Sequence, residues 1–93
     1  MIQPRTKTID TTRGEFKIRA MKAKEHNAIM LLQTQMMKAE GEVEKFEIAR
    51  RIQDAIRACI DIPDSEWDEL EAWETDSLIN AVKDISYEVM QKN

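Results

Sequence analysis

Eight carboxylates, Asp61, Asp64, Glu66, Asp68, Glu69, Glu71, Glu74 and Asp76, stand within a stretch that holds no basic residue. Carboxylates at such density could ligate a cation, perform acid–base chemistry, or attract a basic partner. A calcium loop needs about twelve residues with oxygen ligands at alternating positions and a central Gly, and Trp67 and Leu70 interrupt any such register. General acid–base work needs a carboxyl lifted from its ordinary pKa by burial, and residues so crowded in sequence are exposed by default. Two readings stay open for 61–76: an acidic patch that steers a basic partner, and a solvated helix face whose carboxylates serve the helix N-terminus.

The remaining reactive groups are few. Cys59 is the single cysteine, so no internal disulfide is available. It falls beside Ile56 and Ile60, where a small thiol reads as packing rather than as a nucleophile, and a reducing compartment follows. His26 is the only histidine, and neither Ser77 nor Ser86 lies in a nucleophile elbow. With two glycines, no phosphate loop or dinucleotide fingerprint can be built, and no Cys/His spacing suits zinc. The sequence therefore predicts no enzyme, no cofactor and no metal site.

A second charged segment lies at the other end. Residues 1–24 hold Arg5, Lys7, Arg13, Lys17, Arg19, Lys22 and Lys24 against Asp10 and Glu15, while the whole chain carries −4. Phe16 among these cations raises the question of base stacking. Nucleic-acid binding is nonetheless the weaker reading, because Phe16 shares a strand face with Ile18 and Ala20 and the net charge repels phosphate. The same basic arm, set against residues 61–76 of a neighbouring copy, would give a head-to-tail homo-oligomer.

The elements that carry these groups are mostly helical. Ninety-three residues, 42% hydrophobic and 34% charged, build one core and hence a single domain, 1–93. Alternation in Thr6–Ile9 and Glu15–Ala20 around Arg13–Gly14 predicts a β-hairpin arm over residues 1–21. A helical bundle then fills 22–93. Its first helix carries Ile29, Leu32, Met36 and Ala39 on one face, widened by Met30, Leu31 and Met37, and ends at Gly41. The second aligns Val43, Phe46, Ala49, Ile52, Ile56, Cys59 and Ile60 and stops at Pro63. Asp64 or Ser65 caps a short third helix with Trp67 and Leu70. Thr75 or Asp76 caps a last one with Leu78, Ile79, Val82, Ile85, Val89 and Met90, unless 67–90 forms one unbroken helix. The fold class is mainly α, a short N-terminal hairpin followed by a compact bundle of about four helices. No apolar run spans a bilayer and Met1–Arg5 lacks a signal peptide's apolar stretch, so the expected location is cytoplasmic, away from membranes.

Thr8–Ile9, Gly14–Met21, Cys59–Pro63, Trp67–Leu70 and Asp76–Ile79, taken in order, resemble the small tail assembly chaperones of long-tailed bacteriophages. The likeness lies in a hairpin turning into a first helix, a long helix ending in a short acidic turn with a hydrophobe, and a last helix opening at an Asp. It spans nearly the whole chain. It implies a non-catalytic protein of the host cytoplasm that binds and solubilises the tape-measure protein and helps recruit tail-tube subunits. The family often occurs in two lengths through ribosomal frameshifting. Methionine side chains repack readily against varied partners, and the first helix has more apolar width than burial in a small domain needs. The expected partner contacts are Met30, Met36 and Met37, with Trp67 and Trp73 as anchors or core. The rival is a small acidic regulatory or inhibitory protein using residues 61–76 against a basic partner. Salt separates the two, weakening the second and sparing the first.

Overall fold

A computed structural model describes residues 5–91, with side chains to Tyr87; residues 1–4, and the side chains of Val89 and Met90, lie outside it. Strands β1 (Thr6–Thr11) and β2 (Gly14–Arg19) pair antiparallel from Thr11 opposite Gly14 to Thr6 opposite Arg19. Gly14 has φ +120°, a backbone that disfavours any side chain, and the Thr11 hydroxyl donates to its carbonyl at 2.8 Å. Alternation then works as expected: Ile18 and Ala20 are buried and Phe16 half-buried, while Lys17 is exposed on the opposite face.

Helix α1 (Ala23–Lys38) begins where Glu25, three residues past the cap, accepts the Lys22 N–H at 2.8 Å. The turn after it departs from expectation. Gly41 is not a left-handed C-terminal residue: its φ is −90°, and it is the N-cap of helix α2 (Glu42–Arg57), whereas Ala39 closes α1 in extended backbone.

The stripe expected along α2 is corrected at both ends. Val43 and Phe46 are 74% and 70% exposed, and Ile48 is the residue that turns inward. Phe46 and Ile48 stand about 200° apart on the helical wheel, so one helix face cannot bury both. At the other end, α2 stops six residues before Pro63. Cys59 is held outside it because its carbonyl accepts the Arg19 N–H at 2.9 Å, and Ile60–Asp61 forms a third strand, β3, opposite Ile18 and Lys17. A sheet edge with open hydrogen-bonding groups outcompeted two more helical residues, which periodicity alone cannot reveal.

Helix α3 (Asp64–Glu69) is capped at Pro63, whose carbonyl accepts the Glu66 and Trp67 N–H groups, rather than by a side chain of Asp64 or Ser65. The chain breaks at Leu70, in extended backbone, so neither the break at Glu74 nor the unbroken helix is found. Helix α4 (Ala72–Gln91) starts ahead of the expected caps Thr75 and Asp76. The architecture is thus mainly α, four helices behind an N-terminal hairpin, with β3 extending the sheet to the order β1-β2-β3.

The core forms where β2, α2 and α4 meet, with Ile18, Ile56, Leu78 and Val82 at 0–1% exposure. Ser86, buried on α4, donates to the Val82 carbonyl at 2.7 Å and accepts the Met21 N–H at 2.9 Å, tying the hairpin's exit to the last helix. The molecule measures 39 × 36 × 17 Å, so its thin dimension holds little more than a helix and a sheet. So flat a body leaves apolar residues outside.

Candidate protein-binding surface

Helices α1 and α2 form an antiparallel hairpin closed by Ala39–Gly41, and its helices carry five of the large exposed apolar side chains: Met30 (52%), Leu31 (61%), Met37 (88%), Val43 and Phe46. Ile29 and Ile48 hold the inner faces, while Glu and Lys residues surround the turn. The helices leave a shallow groove of about 300 Å³ lined by Gln35, Lys38, Glu44, Glu47, Ile48 and Arg51. Apolar side chains set among charges on a solvated hairpin suit a contact with another macromolecule better than a small ligand, which needs a deep, mostly apolar cavity.

The five residues expected at the contact are divided by the structure. Met30 and Met37 lie two turns apart on one outer face of α1. Met36 is half-buried. Trp67 is half-buried against the core with the Arg57 guanidinium 4.9 Å above its ring, so it acts as a packing residue with a cationic lid. Trp73 is 61% exposed in the first turn of α4, its indole N–H donating to Glu71. Leu31, Val43 and Phe46 were not singled out as contact residues from the sequence. The available signal was the wheel conflict on α2 and the glutamates 42, 44 and 47 that flank the two apolar side chains.

The acidic stretch is partly occupied from within. Glu66 accepts Arg13 Nε at 2.5 Å, which holds its carboxyl below the usual range and raises the guanidinium. Asp64 pairs with Arg57. Glu74, 2% exposed, accepts the Thr12 N–H and hydroxyl, each at 2.7 Å, and the Glu71 N–H at 3.4 Å; the Thr12 backbone bond is the main cause of its lowered pKa. The basic hairpin and the acidic segment, read from sequence as surfaces for two different copies, therefore meet inside one chain.

No family model, curated protein or solved structure matches this chain.

Burial pushes the Cys59 thiol up to about 11, with neighbouring Arg19 opposing the shift. Native protein should resist iodoacetamide at pH 8 and react only after unfolding in urea, and mass spectrometry of the adduct checks this; rapid native labelling would place the sulfur at the surface. The Ser77 and Ser86 hydroxyls donate to the carbonyls of Trp73 and Val82, one helical turn back. Among the described residues no three His, Cys, Asp or Glu side chains gather where they could hold a metal ion, and no helix is long and apolar enough to cross a membrane.

Proposed function

We propose that this protein binds other proteins without catalysing a reaction, and that it serves as a tail assembly chaperone that keeps a tape-measure protein soluble and helps bring tail-tube subunits to it. The observation that carries the reading is the exposed apolar side of the α1–α2 hairpin, above all Leu31 and Met37, on helices whose inner faces are already packed. Such residues engage amphipathic helices through flexible, unbranched or γ-branched side chains, and a long helical protein offers many equivalent segments. The rival reading, an acidic inhibitor acting through residues 61–76, draws less support because Asp64, Glu66 and Glu74 already serve partners within the chain.

Co-expression with the long helical protein encoded nearest its gene tests the proposal. The wild type should raise the soluble fraction of that protein several-fold, and a Leu31→Glu, Met37→Glu variant with unchanged circular dichroism should not. An unchanged soluble fraction with the wild type would sink the chaperone reading. Rescue that survives the double substitution would move the contact off this hairpin.

A further inference from the structure

Helix α1 carries its sulfur unevenly. Along one flank, Ala23, His26, Met30, Gln33 and Met37 follow at steps of three and four, a row without a charged residue in a chain 34% charged. Met30 and Met37 are the only large apolar side chains of that row, at 52% and 88% exposure, so its apolar character rests on two thioethers. Met36 is next to Met37 in sequence but about 100° around the helix, and it is half-buried, while Met21 packs against the core. The single thiol, Cys59, is 2% exposed and held at about 11 by burial, so almost none of it is the thiolate that oxidants attack first at neutral pH.

We propose that this flank of α1 is a reversible oxidation switch: peroxide converts Met30 and Met37 to their sulfoxides, and the exposed row turns from apolar to polar. The sulfur lone pair takes one peroxide oxygen, the O–O bond breaks, and the other oxygen leaves as water after proton transfer. Sulfur is oxidised by two electrons and peroxide is reduced by two. Each sulfoxide sets a strong hydrogen-bond acceptor where the thioether had a weak one. Both side chains lie outside the core, and the buried Ile29 holds the inner side of α1, so the fold survives a change that would disrupt a packed interior. In the reverse step a dithiol reductase removes the oxygen as water, the dithiol closing to a disulfide and the thioether returning. Leu31, Val43 and Phe46 contain no sulfur, which confines the change to this flank. The surface chemistry stands apart from the chaperone reading, and only its effect on a tape-measure partner rests on that reading.

Brief treatment of the full, folded chain with hydrogen peroxide, followed by peptide mass spectrometry, tests the chemistry. Met30 and Met37 should each gain one oxygen several-fold faster than Met21 and Met36, with Cys59 still a thiol. Retention on a phenyl column reads the surface without any partner, so failure of the chaperone reading leaves this result unaffected. The oxidised wild type should elute earlier with unchanged circular dichroism, and epimer-specific sulfoxide reductases with a dithiol should return it to its first position. Met30→Leu with Met37→Leu keeps the row apolar without its sulfur, so its retention should barely move under peroxide. That variant still contains Met1 and Met90, and a shift caused by either would show in it equally. Oxidation of Met21 or Met36 as fast as Met37, a retention that ignores both sulfoxides, a shift that the reductases fail to reverse, or an equal shift in the variant would each overturn the proposal.

Discussion

Replacing Leu78 by alanine lowers the free energy of unfolding by about 3 kcal/mol, in the range measured when a fully buried leucine leaves a cavity. Leu78 has 0% exposure and stands on α4 in the cluster shared with Ile18 and Ile56, so the vacated volume is walled by a strand and two helices that cannot all close in. A domain of this size holds only about 5–10 kcal/mol in total, and the loss therefore takes a large share of it. Urea titration followed by circular dichroism measures the change. Leu31→Ala on the outer side of α1 provides the contrast, with a shift below about 0.5 kcal/mol, because a side chain 61% exposed gives up little on truncation. Equal effects at the two positions would mean that the core is not where β2, α2 and α4 meet.

Removing the Glu25 carboxylate has the next largest effect. Arg19 donates to both of its oxygens, at 2.7 and 2.8 Å, and the Lys22 N–H adds a third bond. The Arg19 hydrogen bond is the main cause of a pKa lowered from 4.5 to about 2, with burial opposing it. Because the folded value lies below the unfolded one, this contribution is full above about 4.5 and disappears as pH falls toward 2. Glu25→Ala should cost about 1–2 kcal/mol at neutral pH, a figure reduced from the full pKa difference because water screens the open side of the pair. Below pH 4.5 the wild-type and variant stability curves should converge. A gap that persists undiminished to pH 2 would assign the loss to packing instead.

Glu25 and Glu74 play parallel parts. Each reaches back to the N–H at the start of its own helix and also grips the hairpin, one through Arg19 and the other through Thr12. The first was legible in part, since a glutamate three residues past a helix start is a local signal. The second was not. Its partner Thr12 is 62 residues away, and composition made Glu74 look like one more exposed acid. The same division runs through the fold. The hairpin, with its turn at Gly14 and inward Ile18, followed from alternation, and α1 and α2 followed from period. Strand β3 could not be read because two residues carry no periodicity; Ile60 and Asp61 become a strand only when β2 lies alongside. Of the expected contact residues, Met30 and Met37 lie outside and Trp67 packs inward, because side-chain type alone does not tell an apolar core from an apolar surface on a body 17 Å thick.

The anchors of the hairpin have a consequence for its synthesis. The β3 strand, Glu66, Glu74 and Ser86 that fasten it all follow helix α2 in the chain, and Ser86 is 65 positions beyond Met21. At translation rates of about 5–20 residues per second, roughly 3–13 s separate the synthesis of Met21 from that of Ser86, the last of these fastening groups. Two strands alone are marginal in water. The hairpin thus emerges before its anchors and settles last, and until they follow it out its open β-edges are available to whatever else stands at the exit tunnel.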